Sequence, residues 1–222
     1  MADHAANAIG KTEPGADLDE DAGRKLFAAE CKFVAAAQRL DQLPPPGLPE
    51  VAFAGRSNVG KSSLLNALSG RRALARVSTR PGRTRQLNFF ELGGRLLLVD
   101  MPGYGYAEAA RRVKEDWQGL MFAYLRGRPT LRRVLLLLDA RIETKPADVA
   151  VMELLDRAAV PYQLVLTKAD AVAPERLAEK AREVAAKARE HPAAIMDLAI
   201  TSAADGAGIA ELRTALAAFA LG

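Results

Sequence analysis

The sequence predicts an α/β fold with three layers, α/β/α, around a mostly parallel sheet of about six strands with one antiparallel edge strand. Two observations predict it. After the prolines at 44–46, short apolar runs alternate with segments of helical periodicity, which is typical of parallel strands joined by crossover helices. The glycines Gly93 and Gly94 separate two of the apolar runs, which indicates a hairpin and hence an antiparallel strand.

Six apolar runs are interpreted as the strands of this sheet. They lie at residues 50–54, 86–92, 95–100, 133–139, 163–167 and 195–201. Between them, helical segments carry their apolar residues on one face, as Ile209, Leu212, Leu216 and Phe219 do near the end of the chain. We expect these faces to cover the sheet and to form the core.

The chain has 222 residues, half of them hydrophobic, which is enough for one domain with a short extension. Residues 1–22 are rich in alanine, glycine and acids without apolar periodicity, and we expect an acidic disordered tail there. Residues 23–47 are interpreted as an N-terminal extension that packs on the domain. Part of this extension fits either an alanine-rich helix or a short strand around 32–35. The domain itself is assigned to residues 48–222.

Several classes of protein are excluded by composition. One cysteine, Cys31, and two histidines leave no disulfide framework and no Cys/His zinc site. No apolar run approaches the roughly 18 residues that a membrane span needs, and the first residues lack the basic and apolar regions of an export signal. We therefore expect a cytoplasmic protein without a membrane span.

The positive charge of the chain is unevenly distributed. Residues 1–24 hold six acids and two basic residues, a net charge of −4. Since the whole chain has a net charge of +4, the rest of the chain carries +8. A basic body permits a nucleic-acid partner, because lysine and arginine neutralise phosphates. An ordinary solvated surface explains the same charge equally well.

A phosphate-binding loop follows the first predicted strand of the domain. Its residues are Gly55-Arg56-Ser57-Asn58-Val59-Gly60-Lys61-Ser62, followed by Ser63. Backbone amides at the start of a helix bind anions, and glycines let the backbone approach a phosphate closely. We expect Lys61 to reach the β- and γ-phosphate oxygens and Ser62 to bind Mg²⁺. The predicted fold class is therefore that of a Ras-like P-loop NTPase.

A second acidic motif follows the predicted strand at 95–100. It reads Asp100-Met101-Pro102-Gly103. A carboxylate in this place can hold a water of Mg²⁺, and the Gly103 amide can meet the γ-phosphate. An aspartate at a strand end is also a common turn former, but the preceding phosphate loop favours the metal interpretation.

Two further motifs indicate that the base is guanine. The first, Thr167-Lys168-Ala169-Asp170, ends a strand, and its aspartate can accept hydrogen bonds from the N1 and N2 donors that adenine lacks. The stem of Lys168 can pack along the base. The second, Thr201-Ser202-Ala203, ends the last strand, where backbone amides can contact the guanine O6. GTP and GDP are thus the predicted ligands.

The segment from residue 78 to 86 is interpreted as the first switch, because glycine and proline punctuate it between a helix and a strand. A threonine of this segment must reach Mg²⁺ when the γ-phosphate is present. Thr84 is preferred to Thr79, and Ser62, Thr84 and Asp100 form the predicted metal set. The nucleotide contacts predicted in this segment are Gly82, Arg83, Thr84, Arg85 and Gln86.

In this order the motifs resemble those of the EngB (YihA/YsxC) family of bacterial GTPases, within the translation-factor-related class, from about residue 40 onward. Besides the phosphate loop, the residues that carry the resemblance are Pro81-Gly82-Arg83-Thr84, Gln86, Asn88-Phe89-Phe90, Asp100-Met101-Pro102-Gly103-Tyr104-Gly105-Tyr106-Ala107 and Asp139-Ala140-Arg141. The resemblance implies a role in assembling the large ribosomal subunit, and in cell division and septation. It also implies a ribosomal RNA partner for the arginines at 71–85. Arg85 departs from the family, which often has glutamine directly after the threonine.

The residue after Gly103 is Tyr104, where many small GTPases have the glutamine that orients the attacking water. We expect its apolar ring to be directed at the site, and intrinsic hydrolysis to be slow. Asn58 is a candidate K⁺ ligand that replaces an arginine finger, or else it only caps the loop. The predicted catalytic residues are Lys61, Thr84 and Asn58. We expect the protein to be a monomer. The alternative is a nucleotide-gated RNA-binding protein in which hydrolysis is incidental.

Overall fold

The computed structural model describes residues 20–71, 74, 86–104 and 111–221. The predicted switch residues Gly82, Arg83, Thr84 and Arg85 lie outside these ranges. Within them, the strands are β1 (Cys31–Ala37), β2 (Glu50–Gly55), β3 (Leu87–Leu92), β4 (Leu96–Asp100), β5 (Leu131–Asp139), β6 (Tyr162–Thr167) and β7 (Ala194–Ile200). The helices are α1 (Glu20–Ala28), α2 (Lys61–Ser69), α3 (Arg111–Gly127), α4 (Pro146–Ala158), α5 (Pro174–Ala188) and α6 (Ile209–Ala217). Three short 3₁₀ helices lie at Leu40–Gln42, Ala169–Ala171 and Ala218–Ala220.

The seven strands form one sheet in the order β1-β3-β4-β2-β5-β6-β7. From β4 to β7 all neighbours are parallel, whereas β3 is antiparallel to both β1 and β4. Gly93, Gly94 and Arg95 join β3 to β4. The two glycines have φ angles of 59° and 66°, as the tight turn requires in which the Arg95 amide donates to the Leu92 carbonyl at 3.1 Å. The predicted α/β fold with a mostly parallel sheet is confirmed.

The edge of the sheet differs from the prediction. Residues 31–37 form β1, which pairs with β3 from Cys31 opposite Leu92 to Ala37 opposite Leu87. The strand interpretation of this segment is therefore right, and β3 lies second from the edge. The reason is tertiary, because pairing with β3 buries both ends of β1 although its alanines favour a helix equally well.

The N-terminal extension also begins earlier than predicted. Residues 20–22, assigned to the disordered tail, are the first turn of α1, while residues 1–19 lie outside the described ranges. Helix α1 packs closely on α6, since a Cβ at Gly23 would stand 2.8 Å from the backbone nitrogen of Thr214. Leu26 and Phe27 are buried in this contact layer. The extension thus packs on the domain as part of its core.

The core lies on both faces of the sheet. Strand β5 shows this most directly, because Leu136 and Leu138 pack under α3, α4 and α5, whereas Leu135 and Leu137 pack under α1, α2 and α6. Alternate residues of a strand point to opposite faces, so a strand covered on both sides is apolar throughout. The parallel strands then end at a single edge, where the loops that carry the sequence motifs lie.

Among the described helices, none has the length and apolar character that crossing a membrane requires.

Candidate functional site

The phosphate loop connects the end of β2 at Gly55 to the start of α2 at Lys61. It turns through two left-handed residues, Asn58 with φ 63° and Gly60 with φ 108°. A Cβ at Gly55 would stand 2.7 Å from a methyl of Val59, so the loop folds tightly back on its own strand. The result is a loop that opens the N-terminus of α2, which is the geometry that binds phosphate groups.

Lys61 and Asp100 meet at the first turn of α2. The Lys61 ammonium donates a hydrogen bond to the Asp100 carboxylate, and both side chains are nearly buried, with 12% and 11% of their surface exposed. The predicted phosphate-binding cation and the predicted magnesium-holding carboxylate therefore lie together. Ser62 follows Lys61 in the first turn of α2, and Thr84 lies outside the described residues.

The second motif packs directly on the phosphate loop. The Ser57 amide donates to the Tyr104 carbonyl at 3.1 Å, and the Tyr104 amide donates to the Gly55 carbonyl at 3.3 Å. Gly103 permits this approach, because a Cβ there would stand 3.2 Å from the Ser57 nitrogen. Met101 and Pro102 are buried between Asp100 and this contact. A shift of Gly103 would therefore displace the phosphate loop or break these two hydrogen bonds.

Tyr104 does not direct its ring at the phosphate site, and that expectation is wrong. The ring is buried in the core, and its hydroxyl donates to the Asp148 carboxylate at 2.9 Å. Burial and the neighbouring Asp148 raise the pKa of Tyr104 far above its usual range. The hydroxyl therefore stays protonated and serves as a donor to α4.

The first base motif is fastened to the phosphate loop. The buried Thr167 hydroxyl donates to the Val59 carbonyl at 2.6 Å. The Lys168 ammonium donates to the Asn58 carbonyl at 2.7 Å, and the Lys168 backbone is left-handed with φ 60°. A left-handed lysine is unusual and is found where surrounding contacts hold it. The two motifs are therefore parts of one site.

The two base motifs are joined to each other. Ser202 donates from its hydroxyl to the Asp170 carboxylate at 2.7 Å, and the Ala169 amide donates to the Thr201 carbonyl at 3.2 Å. The Ser202 oxygen in turn accepts from the amide of Ala204 at 3.2 Å. Asp170 is thus oriented by the loop that also contains Ala203.

One residue of the site was missed by sequence reasoning, which noted Asp139 only as a family feature. Asp139 ends β5 opposite Thr167 and accepts a hydrogen bond from Lys168 at 2.8 Å. Arg141 donates to the same carboxylate from Nε and Nη2, each at 2.9 Å. Burial disfavours its charge, but these hydrogen bonds outweigh burial and lower the pKa of Asp139 to about 2. The signal available in the sequence was an acid at the end of an apolar strand.

A cavity of about 190 Å³ opens beside the phosphate loop, between it and the segment that joins β5 to α4. Its lining includes Arg56, Asn58, Asp139, Thr144 and Lys180. Asn58, the candidate K⁺ ligand, thus lines a cavity at the edge of the site.

Gln86 is the one predicted switch contact that the described residues include. It precedes β3, and its amide donates to the Asn88 side chain at 2.9 Å. Asn88 lies opposite Asp100 in the β3–β4 register. Gln86 is therefore on the same edge of the sheet as the phosphate motifs.

Comparisons with known proteins agree with this geometry. Residues 50–168 match the family described as 50S ribosome-binding GTPase. The chain is 65% identical over 212 residues to the probable GTP-binding protein EngB of Granulibacter bethesdensis, with 94% of this chain and 95% of that protein covered. It is 63% identical over 208 residues to the probable GTP-binding protein EngB of Gluconobacter oxydans, covering 94% and 92%. A crystal structure of a probable GTP-binding protein engB superposes with a TM-score of 0.63 at 25% identity, over 78% of this chain and 98% of that one.

Proposed function

The chain belongs to the EngB family of P-loop GTPases and is a GTP-binding GTPase, and from this premise we propose that it is a Mg²⁺-dependent switch in the assembly of the large ribosomal subunit. Normal cell division and septation are proposed to depend on that role. The observation that supports the switch best is the Lys61–Asp100 contact, because it joins the phosphate loop to the motif that senses the γ-phosphate. We further propose that the protein acts as a cytoplasmic monomer.

Mg²⁺ is proposed to bind between α2 and β4. The residues fit it, since the Asp100 carboxylate and the Ser62 hydroxyl are hard oxygen donors of the kind that Mg²⁺ prefers. Asp100 is nearly buried and is paired with the Lys61 ammonium. When bound, the metal neutralises charge on the β- and γ-phosphate oxygens. Ser62, Asp100 and Thr84 of the first switch are the proposed ligands, in part through water.

The phosphates are proposed to lie along the loop from Gly55 to Ser63. In that position Lys61 exchanges its contact with Asp100 for the β- and γ-phosphate oxygens, and the Gly103 amide donates to the γ-phosphate. Water then attacks the γ-phosphorus, the bond to the β-phosphate oxygen breaks, and GDP and phosphate result. The described residues are proposed to position the phosphates and to neutralise their negative charge, which is most of what this reaction requires.

Guanine selectivity is proposed to come from Asp170. Its carboxylate is oriented by Ser202 and can accept from the N1 and N2 donors of guanine, which adenine does not have. Lys168 supports one face of the base with its stem. The amides of residues 201–203 are proposed to contact O6.

Intrinsic hydrolysis is proposed to be slow, because Tyr104 replaces the usual water-orienting glutamine and its hydroxyl is engaged by Asp148. Asn58, which lines the cavity beside the loop, is proposed to hold K⁺ near the phosphates as a substitute for an arginine finger. Turnover measured in equimolar KCl and NaCl tests this, with faster turnover in KCl expected. Equal rates would remove K⁺ from the mechanism.

The ribosomal role is supported by the matching family, whose description is a 50S ribosome-binding GTPase. The test is co-sedimentation of the full chain with 50S subunits in GTP, in GDP and without nucleotide. A switch predicts strong binding with GTP and weak binding with GDP. Equal binding in all three states would favour the alternative of an RNA-binding protein in which hydrolysis is incidental.

The matched control for this test is Asp170→Asn. An asparagine amide presents a donor where the aspartate accepts, and this favours xanthine over guanine as the base. Sedimentation of this variant is expected to depend on XTP and to ignore GTP. That result ties ribosome binding to the nucleotide and not to the basic surface alone.

A further inference from the structure

The carboxylate of Asp139 lies underneath the guanine motif, at a point where three elements meet. Only 7% of its side chain is exposed. It accepts from Lys168 Nζ at 2.8 Å, and from Arg141 at the backbone amide (3.1 Å), Nε (2.9 Å) and Nη2 (2.9 Å). The Arg141 contact is a planar fork, which is geometrically more restrictive than a single hydrogen bond. Asp139 therefore has one well-defined orientation.

Lys168 has two acceptors that belong to different parts of the chain. Its ammonium donates to the Asn58 carbonyl of the phosphate loop at 2.7 Å and to Asp139 at the end of β5. Lysine otherwise samples many rotamers, and ordering it on ligand binding reduces affinity. With both acceptors in place, the Lys168 stem is already held across the phosphate loop before a base packs on it.

We propose that Asp139 is a positioning residue for guanine-nucleotide binding, which orients Lys168 over the phosphate loop and is itself oriented by Arg141. The inference rests on the proposed guanine site and goes beyond it, since Asp139 need not touch the nucleotide. Its effect is preorganisation, so that GDP and GTP gain affinity alike.

The charges around Asp139 strengthen its effect on the position of Lys168. Asp139 lies between the cations of Lys168 and Arg141. Arg141 is also attracted by the negative charge of Asp170. Replacing Asp139 by asparagine removes the anion from between two cations but keeps the side-chain shape. Asparagine offers only one acceptor oxygen, for which Lys168 and Arg141 then compete, and no negative charge offsets the repulsion between these two cations.

The test is nucleotide affinity of the full chain, measured with fluorescent GDP and GTP analogues. For Asp139→Asn we expect both affinities to fall about tenfold, as loss of a hydrogen bond to a charged group implies. KM for GTP should rise by a similar factor, with a smaller change in kcat. Affinities within twofold of wild type would overturn the proposal.

A double-mutant cycle shows whether Asp139 acts through Lys168. Lys168→Met keeps most of the stem and removes the ammonium. If the proposal holds, Asp139→Asn added to Lys168→Met causes no further loss of affinity, because the partner is already gone. Losses that multiply would mean that Asp139 acts by another route.

Two controls separate this effect from folding. Asp156→Asn removes a comparable carboxylate at the far end of α4, where it contacts His191 at 2.6 Å and accepts from the Ala193 amide at 3.0 Å. It should lower stability without changing nucleotide affinity. Should Asp139→Asn fail to fold, Arg141→Ala at the half-exposed end of the fork is expected to lower affinity about threefold; unchanged affinity in that folded variant would equally overturn the proposal.

The proposed guanine site has its own readout in the same assay. If the wild-type chain binds ATP analogues as well as GTP analogues, the proposed base recognition fails. If the wild type selects guanine and Asp139→Asn binds equally well, only the positioning role fails.

Discussion

The Tyr104 hydroxyl donates a hydrogen bond to the Asp148 carboxylate at 2.9 Å, and both residues are buried. The other Asp148 oxygen accepts from the Lys145 amide at 2.8 Å and so caps the first turn of α4. Because Tyr104 directly follows Gly103, the segment proposed to sense the γ-phosphate is tied to helix α4. A nucleotide-dependent shift at Gly103 must therefore either move α4 or break this hydrogen bond.

Tyr104→Phe is expected to destabilise the protein by about 1–3 kcal/mol, because it leaves a buried carboxylate oxygen without its donor. Urea unfolding of the GDP-bound protein measures this. The matched control is Tyr162→Phe, since the buried Tyr162 hydroxyl has no hydrogen-bond partner among the described residues. That variant should be as stable as the wild type or slightly more stable, because it removes a buried hydroxyl that no described residue pairs with. Equal losses for the two tyrosines would contradict a specific role for the Asp148 contact.

Gly103→Ala is expected to impair the response to GTP more than the binding of GDP. A Cβ at Gly103 would lie 3.2 Å from the nitrogen and 3.3 Å from the Cα of Ser57, which is closer than most Cβ contacts in proteins. The loop must therefore shift by a few tenths of an ångström at the place where the γ-phosphate is proposed to meet the Gly103 amide. We expect GTP turnover to fall at least tenfold, as loss of one transition-state donor does, while GDP affinity changes less.

Gly47→Ala is the control for that substitution. A Cβ at Gly47 would meet nothing within 4 Å, so turnover and GDP affinity should equal those of the wild type. If Gly103→Ala turned GTP over at the wild-type rate, close packing of the second motif on the loop would have no part in hydrolysis.

Much of the site follows from the sequence because each motif ends a strand. Parallel strands end at one edge of a sheet, so motifs after β2, β4 and β6 must lie together once the strands are assigned. Lys61 and Asp100 meet for this reason although 39 residues separate them. The chemistry of each motif is local, and the topology is regular, so both could be predicted.

What the sequence did not predict depends on packing between distant segments. The alanines of β1 have no intrinsic preference that excludes a helix, and pairing with β3 decides their conformation. Tyr104 faces the core because Asp148, 44 residues away, offers an acceptor there. Asp139 gains its role only when Lys168 and Arg141 converge on it. Such convergence leaves no periodicity in the sequence.

Asp139 should also make stability depend on acid. Its pKa is lowered from the ordinary value of 3.8 to about 2 in the folded protein. A carboxylate with a depressed pKa stabilises the fold fully above its unfolded pKa, and this contribution is lost as the pH falls through the folded pKa. Asp139→Asn should therefore cost about 2 kcal/mol between pH 5 and 7, and about half as much near pH 3. Unfolding by urea across this range measures the difference. A constant difference down to pH 3 would contradict a charged Asp139 in the fold.

Glu50 and Arg128 carry the last prediction, at the end of the sheet opposite the site. Glu50 is fully buried and accepts from Arg128 Nε at 2.7 Å, from the Tyr124 hydroxyl at 2.9 Å and from the Thr130 hydroxyl at 2.7 Å. Arg128 also donates to the Pro44 carbonyl at 2.8 Å. The pair thus joins the strand that leads into the phosphate loop to the end of α3 and to the N-terminal extension.

Arg128→Met keeps the apolar stem and removes the charge, so Glu50 is left as a buried anion without its cation. We expect a loss of about 3–5 kcal/mol in the free energy of unfolding, as for other buried pairs broken on one side. Adding Glu50→Gln should restore part of it, because the uncompensated charge is then gone. The control is Lys32→Met, which breaks the solvent-exposed pair between Lys32 and Glu91 at 3.1 Å and should leave unfolding nearly unchanged. Two results would contradict the proposed pairing of Arg128 with the buried charge of Glu50. One is an equal loss of stability in Arg128→Met and Lys32→Met, and the other is a further loss when Glu50→Gln is added to Arg128→Met.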